Sequence, residues 1–439
     1  MSKGKSAKWA WLLAGVSVVA GALHFVQLRT SHGLGLWFAK ILAEALSPWL
    51  ALMGAAGALL GCLGRAPLAV LAGISGAWAS ARYVRRTVGS AADLERAFGA
   101  RWQERVPEAH RARMLDRRWT PFLAPTPEAR WTRDVVFAHV SASTVAPGNG
   151  RDRPLLCDVW QPPAGVTPSG LALVYLHGGA WCMGDKDMAT RPLFRHLAAQ
   201  GHVIVDVAYR IYPEAIMPEM VHDAKRAVGW IKAHATDYGA DADGIVLAGG
   251  SAGAHLALLA AYTPDHPALT PPELAGADLS VRAVVSFYGP TDLQAVADYN
   301  QGLTHEWGEN PLSKVDLPAF GQPEWWAAQW EVLRRGVPLP HELGGCAPDE
   351  LPAMYELGSP LNHVGAHCPP TLLLHGTHDF IVPVESARAL YEKLLAAGVP
   401  AAYLELPQSD HAFDFILPHL SPPAQAAWYE LERFLAVVE

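Results

Sequence analysis

Three long apolar stretches open the chain, and none of them alternates. Trp9 to Leu28 carries no formal charge over about 20 residues and is flanked by Lys3, Lys5 and Lys8, which is enough to cross a bilayer as a helix. Ala45 to Leu63 and Ala66 to Ala81 are two further uncharged runs separated only by Gly64-Arg65, a pattern that predicts a helical hairpin. Gly57-Ala58-Leu59-Leu60-Gly61 has the small-residue spacing that lets helix backbones approach closely in lipid. Between the first two runs, Gly33 to Glu44 contains Lys40 and Glu44 and reads as interfacial. An alternative reading makes the first run a cleaved signal peptide, with Ala20-Gly21-Ala22 as its small-residue site. The predicted membrane region is therefore residues 1–86.

Residues 87–130 change texture. Ala91 to Arg118 is rich in Arg and Glu, with Leu94, Phe98, Trp102, Val106 and Met114 at helix-like intervals. This predicts a basic amphipathic connector lying on the membrane or on the domain that follows.

From Trp131 the pattern becomes α/β. Trp131 to Ser143 and Pro154 to Trp160 are β-branched and partly alternating, as in a hairpin. Leu171 to His177 and His202 to Tyr209 are continuous apolar runs of strand length, and Val221, Ala224, Val228 and Ile231 then mark a helix. Further strands are expected at Gly244 to Ala248, Ala283 to Tyr288, Thr371 to His375 and Ala401 to Leu406, with helices at Ser386 to Ala397 and Pro423 to Val438. Strands alternating with helices imply a mostly parallel sheet covered on both faces, with chemistry at the carboxyl ends of its strands. Residues 293–369 form an irregular insertion holding Trp307, Trp325, Trp326 and Trp330. It is expected to be a cap whose tryptophans either face an apolar ligand or fill the cap's own core.

Charge sharpens this division. Residues 1–134 carry 18 basic and 8 acidic side chains, whereas the remainder carries 16 and 34. The acidic remainder speaks against a nucleic-acid partner, and the basic start suits the polar face of a bilayer. The basic clusters Lys3/Lys5/Lys8 and Arg82/Arg85/Arg86 both favour the cytoplasmic side, so the topology stays open. Five scattered cysteines with no C-x-x-C support neither a disulfide framework nor a zinc site. There is no H-E-x-x-H, no G-x-G-x-x-G after the first strand and no phosphate-cradling loop, so neither a cofactor nor a metal is expected.

The candidate chemistry begins at Gly249-Gly250-Ser251-Ala252-Gly253, between a strand and a helix. A serine on that tight bend projects its Oγ, and the next backbone N–H can face a developing oxyanion. His177-Gly178-Gly179-Ala180-Trp181 follows another strand, where the N–H groups of Gly178 and Gly179 can join that of Ala252. Asp379 lies just past the penultimate strand, where a carboxylate can orient an imidazole, and His411 lies just past the last strand. Glu385, Asp410 and Asp414 compete for the acid role, and His375, His378, His222 and His234 for the base. The chain order Ser251, Asp379, His411 is that of an α/β-hydrolase.

With HGGAW, DVAYR at Asp206 to Arg210, GGSAGAHLAL, HGTHDFIVP and DHAF, residues 131–439 resemble the hormone-sensitive-lipase side of the α/β-hydrolases. The SAGAHLA wording is most similar to the arylformamidase, feruloyl-esterase-like and isoprenylcysteine methylesterase branch, the last of which also places hydrophobic spans before its hydrolase domain. The resemblance implies that Ser251 is the nucleophile, Asp379 and His411 are its partners, and Gly178, Gly179 and Ala252 are the oxyanion donors. Many lipase-like members have an acidic residue where this chain has Gly250, a departure that bears on substrate class and not on the three catalytic side chains. The expected function is a membrane-anchored serine esterase acting on a small, hydrophobic ester in or near lipid. The rivals are an amidase of arylformamidase type and a non-catalytic hydrolase-fold receptor or scaffold.

Overall fold

A computed structural model describes residues 3–29, 33–146, 150–306 and 352–439. Eight strands form one sheet in the order β1-β2-β4-β3-β5-β6-β7-β8. They are β1 (Arg130–Val140), β2 (Arg153–Gln161), β3 (Gly170–Leu176), β4 (Val203–Ala208), β5 (Ala240–Gly250), β6 (Ala283–Phe287), β7 (Thr371–Gly376) and β8 (Ala401–Leu406). The first two pair antiparallel, as the hairpin pattern predicts, and β2 pairs antiparallel with β4; every later pairing is parallel. Strands β3, β4, β6 and β7, and β5 from Gly244 onward, are buried almost throughout, which is why they read as unbroken apolar runs rather than alternating ones.

Helices cover both faces. Met217–Tyr238, Ala252–Tyr262 and Val384–Ala396 pack on one side, and Arg191–Gln200 and Pro422–Val438 on the other. The first of these starts with a proline in its opening turn and ends at Gly239, whose φ of 84° provides the left-handed stop.

The N-terminal region is helical throughout: α1 (Lys3–Leu23), α2 (Gly33–Ala45), α3 (Ser47–Gly64) and α4 (Pro67–Gly89). Two helical stretches, Gly4–Leu23 and Ser47–Gly64, are long and apolar enough to cross a membrane. The run ending at Ala81 continues as α4 through Arg82, Arg85 and Arg86, because nothing before Ser90 breaks the helix. A side-chain carbon added at Gly57 would lie 2.7 Å from the Ala14 backbone nitrogen, so α3 and α1 touch backbone to backbone there. Ser17 of α1 also donates a 2.8 Å hydrogen bond to the Leu50 carbonyl of α3.

Ala91 to Arg118, the expected amphipathic connector, lies on the α/β domain. It folds into short turns, Leu94–Phe98, Trp102–Arg105 and Glu108–Arg111, interrupted by Gly99 at φ 88° and by Pro107. Its apolar residues pack on the closing helix Pro422–Val438, and Arg118 pairs with Glu430 at 2.7 Å. The cap tryptophans Trp307, Trp325, Trp326 and Trp330 lie outside the described residues; the described ends of the insertion are the helices Leu293–Glu306 and Pro352–Gly358.

Candidate active site

Strand β5 delivers the chain into a bend at Ser251, whose φ of 53° and ψ of −121° are strained for any residue with a side chain. The helix Ala252–Tyr262 then leaves so close to β3 that a side-chain carbon on Gly253 would sit 2.0 Å from the Leu176 carbonyl oxygen. That approach is the reason for the small residues around the serine.

Ser251, His411 and Asp379 form one hydrogen-bonded row. Nε2 of His411 lies 2.9 Å from Ser251 Oγ, and its Nδ1 lies 2.7 Å from Asp379 Oδ2. Asp379 is completely enclosed, and its other oxygen accepts the backbone N–H groups of Ile381 at 2.9 Å and Val382 at 2.8 Å. His375 Nε2 approaches Oδ2 at 3.3 Å. Burial alone would raise the Asp379 carboxyl, but the charge of His411 and the hydrogen bonds from His375 and His411 outweigh it and hold it well below the usual carboxylate range.

The competing residues fall elsewhere. Asp410 touches His411 only through the backbone, accepting the His411 N–H at 2.8 Å and the Phe380 N–H at 3.2 Å. Asp414 accepts the Tyr288 hydroxyl at 2.6 Å, and Glu385 is exposed. His375 supports Asp379 from behind and points its Nε2 toward the Val382 carbonyl.

Gly178 lies against the serine: a side-chain carbon there would be 3.4 Å from Ser251 Cβ. Gly179 has φ 124°, and a side chain would collide with the Met183 carbonyl oxygen, so only glycine fits. Among the described residues, the N–H groups of Gly178, Gly179 and Ala252 have no hydrogen-bond partner, which leaves three donors beside the serine.

Two tyrosine hydroxyls crowd the space beside Gly250. A side chain at Gly250 would come within 3.2 Å of the Tyr175 hydroxyl and 3.3 Å of the Tyr288 hydroxyl. Tyr288 also packs edge-on against the His411 ring with centroids 4.7 Å apart.

A cavity of about 230 Å³ opens over Ser251 and His411. Its walls are mostly apolar, including Met183, Leu193, Val296, Phe380 and Phe415. Two wall residues, Trp37 and Phe38, come from α2. Sequence reasoning places α2 at an interface and gives it no part in the site. The one signal present was the i,i+4 pair Lys40 and Glu44 inside an otherwise apolar helix.

The sheet order, the antiparallel strands β1 and β2 ahead of a parallel sheet, and the serine on the turn after β5 define the class: this chain has the α/β-hydrolase fold. Residues 157–317 and 337–394 match the BD-FAE family model. Among curated proteins the chain is similar to the probable carboxylic ester hydrolase LipM of Mycobacterium tuberculosis, with 34% identity over 64% of this chain and 58% of that protein. Esterase LipQ of the same organism is 32% identical over 66% of this chain and 60% of its own length. The chain thus spans about 60% of the curated relatives it matches. Among solved structures, Thermogutta terrifontis esterase 2 phosphonylated by sarin is similar at 25% identity, covering 66% of this chain and 88% of that one with a TM-score of 0.46.

Proposed function

We propose that this chain is a membrane-anchored serine hydrolase that cleaves carboxylic esters with an apolar acyl or alkyl group. The observation that carries the reading is the Ser251–His411–Asp379 row at the floor of an apolar cavity. His411 Nε2 takes the Ser251 proton as Oγ attacks the ester carbonyl carbon, and Asp379 stabilises the imidazolium that forms. The N–H groups of Gly178, Gly179 and Ala252 hold the oxyanion. As the tetrahedral intermediate collapses, His411 returns the proton to the leaving alkoxide; water then releases the acyl group by the same route. The names of the relatives, a carboxylic ester hydrolase and an esterase, support ester over amide chemistry.

In this reading residues 1–86 anchor the protein, 87–130 connect, and 131–439 form the catalytic domain with its insertion at 293–369. Alkyl surface is favoured because moving an acyl chain from water into such a cavity gains about 0.8 kcal/mol per buried methylene.

Incubation with a fluorophosphonate probe tests the assignment. Labelling of the wild-type chain, lost in Ser251→Ala, is the expected result, together with faster turnover of p-nitrophenyl esters than of the matching anilide. A folded wild-type chain that takes no label would leave only a hydrolase-shaped scaffold, and preferred cleavage of the anilide would make it an amidase.

A further inference from the structure

The loop Gln408-Ser409-Asp410-His411 is held at every residue by the N-terminal helices. Arg82 of α4 donates to the Gln408 side chain at 2.7 Å, and Gln408 Nε2 donates to the His24 carbonyl at 3.0 Å. Tyr83 and Ser409 share a hydrogen bond of 2.8 Å between their hydroxyls. The Asp410 N–H donates to Glu44 at 3.3 Å, and the Trp37 indole N–H donates to the His411 carbonyl at 2.9 Å. At the centre, Lys40 Nζ lies 2.8 Å from Asp410 Oδ2 and 3.8 Å from Glu44, and all three side chains are wholly enclosed.

An enclosed ion pair is costly to form and more costly to leave half made, so it pins geometry more than it adds stability. What this one pins is specific. The oxygen of Asp410 that does not face Lys40 accepts the N–H groups of both His411 and Phe380. One carboxylate therefore ties together the loop carrying the imidazole and the loop carrying Asp379. Lys40 is thus shared between two acids, Asp410 at 2.8 Å and Glu44 at 3.8 Å.

We propose that Lys40 is a positioning residue for the hydrolysis: through Asp410 it sets the His411 imidazole against Ser251, and docking of α2 completes a site that the hydrolase domain alone does not. The proposal rests on the serine-hydrolase reading above. Displacing His411 by a fraction of its hydrogen-bond length weakens proton transfer while leaving the acyl cavity in place, so the effect belongs in kcat.

The test uses the full chain in detergent micelles, with p-nitrophenyl acetate as substrate and fluorophosphonate labelling of Ser251 as a second rate. Lys40→Met is expected to lower kcat and the labelling rate together on the order of 100-fold, with KM changed by less than about two-fold. Lys40→Met/Asp410→Asn removes the stranded carboxylate yet keeps an oxygen for the two N–H groups, and is expected to recover about ten-fold of that loss. Wild-type rates in Lys40→Met overturn the proposal, as does a loss that the double variant leaves unrepaired. If Lys40→Met does not fold, Asp410→Asn alone carries the test: kcat lowered about ten-fold at constant KM is expected, and unchanged kcat overturns it. Absence of labelling in the wild-type chain would sink the hydrolase reading, whereas equal labelling of wild type and variant sinks only the positioning role.

Discussion

Asp379 keeps its charge in full burial because every neighbour of its oxygens is a donor: His411, His375 and two backbone N–H groups. Asp379→Asn should leave the fold intact while lowering kcat about 10⁴-fold, because an amide cannot hold the imidazole in the tautomer that accepts the serine proton. The same carboxylate contributes to stability with a definite sign. Its folded pKa lies below the ordinary value of 3.8, so its contribution is present above that value and is lost as pH falls further. Thermal unfolding of wild type and Asp379→Asn should therefore differ most near neutral pH and converge under acid; a gap that widens on acidification would contradict this account. At this scale the sequence is most legible where backbone geometry dictates residue type. The serine turn and the glycines before and beside it announce themselves because no other residues fit. Asp410 was harder to place. Beside a histidine it competes for the acid role, and only the three-dimensional path of the loop shows that its oxygens face backbone and lysine instead.

Elements with a single environment along their length could be read directly. Strands β3 to β8 are buried runs between turns, and the predicted and observed limits of β8 coincide at Ala401–Leu406. Helix α2 has two environments, and that hides its role. Leu36 and Leu42 face outward, while Lys40 and Glu44 are enclosed against the histidine loop. From sequence, two charges on an apolar helix read as interfacial; the opposing residues that bury them are some 370 positions away. In the connector, helical spacing of apolar residues persists across turns because they share one partner, the closing helix. The contact between α1 and α3 is open to direct test. Gly57→Leu forces a side chain into the Ala14 backbone and should cost about 1–3 kcal/mol, read as a lower unfolding midpoint in detergent. An unchanged midpoint would mean the helices do not meet there.

The molecule as a whole combines an acidic α/β body with a basic helical start whose outer surface is greasy. Leu12, Leu52, Leu59, Leu68 and Trp78 are each about half exposed or more, large apolar surface that water would penalise. The chain is accordingly expected to remain with membranes through alkaline carbonate extraction, and its release into the supernatant would remove the anchoring role. The length and apolarity of α1 and α3 were plain from sequence, but docking of their bundle onto the loop that carries His411 was not, since no local pattern encodes a contact between residues so far apart.

The contribution of Trp37 and Phe38 to the cavity wall bears on how this protein would be handled at the bench. Clipping away the greasy start is the usual route to a soluble fragment for crystals or screening. Here such a fragment would keep Ser251 and still lose one side of the cavity above it together with the struts behind His411. Inhibitors chosen against the shortened form would be fitted to a hole that the intact protein does not have.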